Sequence, residues 1–163
     1  MENRIIRTAA MADLDAVSRV EALCFPATEA APREEFEARL THYADHFWLM
    51  FEGEELISFV DGFVTNEKDL RDEMFADASL HDPNGAWQMI FGVTTIPSHR
   101  CRGYAGMLIR RAIDDARKQG RQGLVLTCKA HKIAYYSKFG FQDEGFCGSM
   151  HGGVPWHQMR LTF

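Results

Sequence analysis

A basic, glycine-bearing segment stands immediately before an amphipathic helical pattern. It consists of Arg100, Cys101, Arg102, Gly103, Tyr104, Ala105 and Gly106. Its glycines allow the backbone to approach a ligand closely, and its guanidinium groups offer charge-assisted hydrogen bonds. A helix start adds unpaired N–H groups and a partial positive charge, so the segment predicts a diphosphate-binding turn. A glycine-containing helix start that binds nothing fits the same residues.

The cysteines are a second place to look for reactive groups. Cys128 has His131 three residues further on, and a thiolate nucleophile requires such a neighbouring base. A cysteine at the end of a strand is more often a packing residue, and we favour that interpretation. No CxxC pair occurs among Cys24, Cys101, Cys128 and Cys147, which argues against a metal site and indicates free thiols.

Composition excludes several classes of protein. The chain has 163 residues with 46% hydrophobic and 25% charged side chains, which is ordinary for one globular domain. The net charge is −5 and the basic residues are spread out, so a nucleic-acid partner is not expected. No apolar run is long enough to span a membrane, and the N-terminus lacks the apolar core of a secretory signal. We therefore expect a soluble, cytoplasmic protein.

The elements that position these residues begin with strand and helix patterns. Arg4–Thr8 predicts a short strand. Apolar residues at three-residue spacing then predict an amphipathic helix; they are Leu14, Val17, Val20 and Leu23. Phe25–Ala31 breaks this helix, and Pro32 begins a second one. The apolar face of that second helix holds Phe36, Leu40 and Tyr43.

Strand patterns dominate the middle of the chain. Phe47–Phe51 and Leu56–Val64 predict two strands joined by a tight turn. Polar residues fill Thr65–Ala86, and loops of that length usually have a function. We expect a lid on the substrate side, with a helical turn around Arg71–Phe75. Trp87–Thr95 predicts a further strand.

The remaining residues complete one mixed α/β pattern. The basic segment leads into a helix that ends near Gly120. Gly123–Thr127 predicts a strand and Lys132–Lys138 a short helix, followed by strands near Phe141–Phe146 and Trp156–Leu161. The order β-α-α-β-β-β-α-β-α-β-β describes a single domain over residues 1–163.

Two motifs carry a resemblance to a known family. The basic segment reads R-x-x-G-x-A, and Tyr136–Phe141 reads Y-x-K-x-G-F after a strand. In this order and at this distance they resemble the GNAT superfamily of N-acetyltransferases. Glu21–Pro26, the long loop and Tyr136 are similar to the arylalkylamine (serotonin-type) enzymes and their bacterial relatives. The resemblance implies a mixed, mostly antiparallel sheet of six to seven strands with about four helices, acetyl-CoA as cosubstrate, and no metal.

The resemblance also implies roles for particular residues. Val93, Thr94 and Thr95 would pair with the pantetheine arm of acetyl-CoA as an added strand would. Residues 100–106 would hold its pyrophosphate, and Tyr136 would lie beside the thioester sulfur. The amine site would be lined by Phe25, and Glu21, His151 and Trp156 are further candidates for that site.

The chain departs from the arylalkylamine enzymes at one important place. Those enzymes carry two histidines on the central strand, at the positions of Met89 and Phe91. Neither methionine nor phenylalanine is a base, so the sequence does not identify the residue that takes a proton from the amine. Glu21, Gln88 acting through a water molecule, and His151 are the candidates.

We expect the amine to attack the acetyl thioester directly. An amine with a pKa near 10.4 is neutral in about 1 molecule in 2,500 at pH 7, a cost of roughly 4.6 kcal/mol. A backbone N–H near Val93 would hold the oxyanion. Tyr136 would stabilise the departing thiolate by a hydrogen bond, because full proton transfer from tyrosine is uphill by about 2 kcal/mol.

Three functions remain open at this stage. The favoured one is acetylation of a small primary amine of arylalkylamine or polyamine type, since an acidic chain suits a cationic substrate. The second is acetylation of a protein or peptide amine, and the third is an acetyl-CoA sensor without turnover. A homodimer would not be surprising.

Overall fold

The computed structural model describes residues 3–149 and 153–163. Its strands are β1 (Arg4–Thr8), β2 (Phe47–Glu52), β3 (Glu55–Asp61), β4 (Val64–Thr65), β5 (Trp87–Ile90), β6 (Gly92–Thr95), β7 (Gly123–Cys128), β8 (Gln142–Phe146) and β9 (His157–Thr162). Its helices are α1 (Leu14–Cys24), α2 (Arg33–Tyr43), α3 (Glu73–Ala76), α4 (Tyr104–Lys118) and α5 (Ile133–Ser137). None of the helices in these ranges is long and apolar enough to cross a membrane.

The strands form two sheets. One has the order β1-β2-β3-β6 and is antiparallel throughout. The other has the order β4-β5-β7-β9-β8, in which β5 and β7 are parallel and the other pairs antiparallel. The predicted fold class, a mixed and mostly antiparallel sheet with flanking helices, is confirmed. The described strands number nine instead of six to seven because two predicted strands are broken.

The break between β5 and β6 creates the cleft of the protein. Trp87–Thr95 was expected as one strand, but it changes partner at Phe91. Before that residue β5 pairs with β7 as far as Ile90 opposite Leu126, and after it β6 pairs with β3. The N–H of Phe91 donates to the carbonyl of Asp61 at 2.7 Å, which fixes the turning point. The two sheets therefore diverge between β6 and the end of β7.

The other expected strand, Leu56–Val64, is interrupted at Gly62. A Cβ atom at Gly62 would collide with the carbonyl oxygen of Met89, so only glycine lets the two backbone segments approach this closely. The strand stops at Asp61, and the short β4 joins the second sheet instead.

The core follows the predicted apolar faces, with one correction. Leu14, Val17 and Val20 are buried, but Leu23 is 56% exposed and does not belong to the core. A helix has 3.6 residues per turn, so each three-residue step drifts back by about 60° and Leu23 ends about 180° from Leu14. Glu21 takes the buried position instead, at 8% exposure.

Candidate active site

A cavity of about 450 Å³ opens where the two sheets diverge. Its walls come from the end of α1, α2 and the connection between them, the end of β3, α3, the junction of β5 with β6, the end of β7, and the connection between β8 and β9. Residues distant in sequence meet here, among them Glu21, Phe25, Glu35, Arg39, Asp61, Phe75, Phe91, Thr127, Ser149 and Trp156. The predicted amine-site residues Glu21, Phe25 and Trp156 all line this cavity. His151 lies outside the described residues.

Among the titratable groups that line the cavity, Glu21 has a pKa near neutral pH. Burial raises its carboxyl pKa to about 7, while the N–H of Ala31, which donates to Oε2 at 2.9 Å, works against this rise. The charge of Asp61 adds to the rise and that of Arg39 opposes it. A carboxylate with such a pKa exchanges protons readily near neutral pH.

Arg39 and Asp61 form a buried ion pair in the cavity wall. Arg39 Nη1 donates to Asp61 Oδ2 at 3.0 Å, and both side chains are almost inaccessible to solvent. Burial raises the pKa of Asp61, and the guanidinium of Arg39 opposes that change. Arg39 also donates from Nη2 to the carbonyl of Phe75 at 2.7 Å, which ties α3 to the cavity. This pair was not predicted from the sequence.

An aromatic wall occupies the place where the arylalkylamine enzymes have histidine. The ring of Phe91 lies 4.9 Å from that of Phe63 and 4.8 Å from that of Phe75, and the guanidinium of Arg39 lies 5.3 Å from its centroid. Met89 is fully buried in the core. Phe91 therefore shapes the cavity without offering a base.

Gln88 does not lie in the cavity. It is fully buried, and its amide nitrogen donates to the carbonyls of Gly62 at 2.7 Å and Met89 at 2.8 Å. Its Oε1 is 2.8 Å from Nδ1 of His46. With both ends of the amide engaged, the side chain holds strands together, and the suggestion that it relays a proton through water is wrong on these contacts.

The lid expected over Thr65–Ala86 lies against the site. Asp72, Phe75 and Ala76 line the cavity, and α3 is the predicted helical turn, which begins two residues later than expected. Besides the bond from Arg39, the N–H of Leu70 donates to Gln158 at 3.0 Å. These bonds hold the segment in place from two sides.

The basic segment forms a tight turn at the start of α4. Gly103 precedes the helix with a φ of 82°, and Cys101 has a φ of 63°, which is uncommon for a residue with a side chain. Arg100 and Arg102 are exposed, and Arg100 Nε donates to the carbonyl of Thr95 at 2.9 Å. The turn thus leads from the segment after β6 into the first turn of α4, where a helix has no partners of its own for its N–H groups. A Cβ atom at Gly106 would face the ring of Phe139 at 3.2 Å, so that glycine allows close packing on the residues after α5.

The edge of β6 that faces the cleft is not paired with another strand of the described sheets. Val93, Thr94 and Thr95 make up most of this strand. An extended pantetheine arm has N–H and C=O groups that suit such an edge. The strand edge, the positive helix start and two exposed guanidinium groups fit the molecule acetyl-CoA, and their assignment as its site stays a prediction.

Tyr136 and Cys128 lie near the cleft but do not line the cavity. Tyr136 is 8% exposed, and its ring lies 5.1 Å from that of Tyr135. Burial raises the pKa of Tyr136 well above its usual value. Burial also raises the pKa of Cys128 to about 11, and its thiol donates to Met159 Sδ at 3.6 Å. A thiol that ionises so reluctantly is a poor nucleophile, which favours packing as its role.

Comparison with known proteins places this geometry in a family. Residues 14–141 match the model of the acetyltransferase (GNAT) family. The loading GNATL domain of CurA from Lyngbya majuscula superposes with a TM-score of 0.85 at 11% identity, covering 98% of each chain. The GphF GNAT-like decarboxylase, solved with isobutyryl-CoA, gives 0.80 at 18% identity over 97% of this chain and 98% of its own. The ribosomal-protein-S18-alanine N-acetyltransferase from Escherichia coli gives 0.73 at 15% identity over 98% and 94%. Identities this low show the shared fold alone.

Proposed function

Because this chain belongs to the GNAT family of acetyl-CoA-dependent acetyltransferases, we propose that it acetylates the primary amine of a small molecule of arylalkylamine or polyamine type. The observation that carries the proposal is the cavity at the point where the sheets diverge, which contains a buried carboxylate with a pKa of about 7. The likeness of Glu21–Pro26 to the arylalkylamine enzymes agrees with it.

Glu21 is the general base in this proposal. The amine arrives as an ammonium ion and passes one proton to the ionised carboxylate, so that its lone pair becomes free to attack. Transfer from a group of pKa about 10.4 to one of about 7 costs roughly 4.6 kcal/mol, the same cost that free solution imposes at pH 7. The advantage of Glu21 is therefore its position beside the amine, where the proton has an acceptor at the moment of attack.

Acetyl-CoA supplies the acetyl thioester, and we assign its site to the edge of β6 and the turn before α4. Backbone groups of Val93, Thr94 and Thr95 pair with the pantetheine arm, and residues 100–106 hold the pyrophosphate. The N–H near Val93 donates to the oxyanion that forms during attack. Tyr136 donates a hydrogen bond to the departing thiolate, and the second proton that the nitrogen loses ends on that sulfur to give the thiol of CoA. The raised pKa of Tyr136 favours such a bond over loss of its own proton.

The surroundings of the cavity support a small acceptor over a peptide. A peptide substrate requires an open groove, but Phe75 and Asp72 from the segment after β4 form part of the cavity wall. The bond from Arg39 to the carbonyl of Phe75 holds that wall in place. A single amine-bearing chain fits a cavity that is walled on this side better than an extended backbone does.

The charged residues of the cavity favour a cationic amine as its ligand over a group that carries a carboxylate. Five carboxylates and one guanidinium group line it in the described part of the chain: Glu21, Glu29, Glu35, Asp61 and Asp72 with Arg39. An acyl group that carries its own carboxylate, as a decarboxylase would require, meets like charges here. A cationic amine meets opposite ones.

The test is release of free thiol from acetyl-CoA by the purified protein with aryl amines, alkyl polyamines and lysine peptides. We expect turnover with small amines and little with peptides. Turnover with peptides alone would contradict the small-molecule assignment. No turnover, together with a melting temperature that rises on addition of acetyl-CoA, would favour a sensor.

A further inference from the structure

Asp61 uses only one of its two carboxylate oxygens. Its Oδ2 accepts the bond from Arg39 Nη1, whereas Oδ1 has no hydrogen-bond partner among the described residues, although the side chain is only 1% exposed. Buried carboxylate oxygens normally accept hydrogen bonds, so an unused one calls for an explanation. Because Asp61 lines the cavity, we expect the missing donor to come from the molecule that fills it.

Arg39 does not supply the missing donor. Its Nε is also without a partner in the described ranges. In the planar guanidinium, however, the Nε–H points along the edge that it shares with Nη2, and Nη2 is directed at the carbonyl of Phe75. Asp61 is bound through Nη1 instead. The unused oxygen of Asp61 and the unused Nε–H of Arg39 therefore do not serve each other.

The unused oxygen of Asp61 lies beside the start of β6. Asp61 is the register partner of Gly92. A Cβ atom on Gly92 would stand 2.7 Å from Oδ1, and the next nearest atom, in the ring of Phe59, would be 3.8 Å away. Glycine at this position avoids a contact that would press on Oδ1 and on little else. Gly92 precedes Val93, so Oδ1 adjoins the backbone assigned to the oxyanion.

The surroundings of the two buried carboxylates in the described cavity wall suit them to different tasks. Glu21 accepts one backbone N–H, and its pKa of about 7 lets it take up a proton near neutral pH. Asp61 is paired with the guanidinium of Arg39, which favours its charged form. Two carboxylates in unlike surroundings divide proton transfer and charge stabilisation between them.

We infer that Asp61 is a second catalytic residue, whose Oδ1 accepts an N–H of the reacting amine and so turns the nitrogen lone pair towards the thioester carbon. This role rests on the proposed acetylation of a small amine and adds a residue to that reaction. Arg39 orients Asp61 through Oδ2, and Gly92 keeps a side chain away from Oδ1.

The protons of the reacting nitrogen balance in this arrangement. The ammonium group gives its first proton to Glu21, and the lone pair left behind forms the bond to the acetyl carbon. The second proton ends on the sulfur when the carbon–sulfur bond breaks. The third stays on the nitrogen of the amide product, and this N–H donates to Asp61. Because positive charge grows on the nitrogen during attack, the hydrogen bond is stronger in the transition state than before it.

Gly92→Ala tests the position of Oδ1 without changing a titratable group. The added methyl group displaces this oxygen, so kcat for the amine should fall about 10- to 100-fold, the range for one hydrogen bond to a charged group. Acetyl-CoA affinity, measured by calorimetry, should stay within about 2-fold, and the melting temperature should stay close to that of the wild type.

Two double variants form a matched pair that separates catalysis from support. Arg39→Met with Asp61→Leu and Arg39→Met with Asp61→Asn both remove the ion pair, and only the second keeps an oxygen that accepts a hydrogen bond. The Asp61→Asn pair should therefore have a kcat about 3- to 10-fold higher than the Asp61→Leu pair. Gly92→Ala added to the Asp61→Leu pair should cause no further loss, because the oxygen that it displaces is gone.

The outcomes distinguish failure of this role from failure of the proposed function. An unchanged kcat in Gly92→Ala, or equal kcat in the two double variants, would overturn the role of Asp61 and leave amine acetylation intact. So would a loss of acetyl-CoA affinity in Gly92→Ala as large as its loss of kcat. If the wild type acetylates no amine, the proposed function fails and the role of Asp61 with it.

Discussion

The side of the cleft proposed for acetyl-CoA and the side proposed for the acceptor are built from sequence in different ways. The residues assigned to acetyl-CoA run almost without a gap from Val93 to Gly106, over β6, a turn and the start of α4. The acceptor cavity takes Glu21 from α1, Arg39 from α2, Asp61 from β3 and Phe75 from α3. One side uses backbone groups in a local motif, and the other uses side chains that meet only in the folded chain.

This difference indicates which side of the cleft recognises a constant ligand and which side is specific for a particular ligand. Backbone N–H groups and a helix start recognise a diphosphate whatever the neighbouring side chains are, so that side suits one constant ligand. Buried side chains such as Arg39 and Asp61 determine the charge and shape of the cavity, so that side suits a particular acceptor. Substitutions on the two sides should therefore affect different kinetic constants.

The largest effect is expected at Glu21. Glu21→Gln keeps the shape and removes the base, so kcat/KM for the amine should fall by about 10²- to 10⁴-fold. Acetyl-CoA binding, measured by calorimetry, should change by less than about 2-fold. Glu34→Gln is the control, since Glu34 lies exposed on α2 outside the cavity. A Glu21→Gln enzyme of normal activity would remove Glu21 from the mechanism.

The next largest effect is expected for Arg39→Met, which should lower the free energy of unfolding. It leaves Asp61 buried without its partner, which costs about 3–5 kcal/mol of unfolding free energy in denaturant titration. Arg39→Met combined with Asp61→Leu removes both charges and should recover most of that loss. If the single variant is as stable as the wild type, the ion pair does not support the cavity wall.

Arg102→Ala tests the acetyl-CoA side. Loss of one exposed guanidinium near the phosphates should raise KM for acetyl-CoA about 5- to 10-fold, with KM for the amine unchanged. Arg117→Ala, an exposed site in the last turn of α4, serves as its control. A rise in the amine KM instead would show that the two sides are not separable in this way.

An effect of the same size as at Arg102, but on kcat, is expected at Tyr136. Tyr136→Phe removes one hydrogen bond to the departing thiolate, so kcat should fall about 5- to 10-fold. Acetyl-CoA affinity should change little, because the ring still packs against Tyr135. Pre-steady-state thiol release distinguishes this from slow product release. An unchanged kcat would assign Tyr136 to packing alone.

Sequence predicted the local motif better than the assembled cavity for a physical reason. The turn before α4 is encoded by adjacent residues, and the predicted helix follows it. The ion pair of Arg39 and Asp61 joins residues 22 positions apart on a helix and a strand. No spacing rule relates such positions, so only the packing of α2 on β3 brings them together.

The burial of Glu21 is predictable from helical geometry. Leu14, Val17 and Glu21 follow the spacing i, i+3, i+7 and share one face, whereas Leu23 has drifted to the other. A glutamate on the apolar face of a helix predicts a buried acid. The break at Phe91 was not predictable in the same way, since nothing in Trp87–Thr95 marks the residue where the strand changes partner.

The pH dependence of kcat/KM for the amine tests the central claim, that Glu21 takes the proton, most directly. Because the base must be ionised, activity should rise with pH through about 7 and level off above it. The rise near 7 should be absent in Glu21→Gln. A wild-type profile that keeps rising towards the pKa of the free amine, with no inflection near 7, would contradict a base at Glu21.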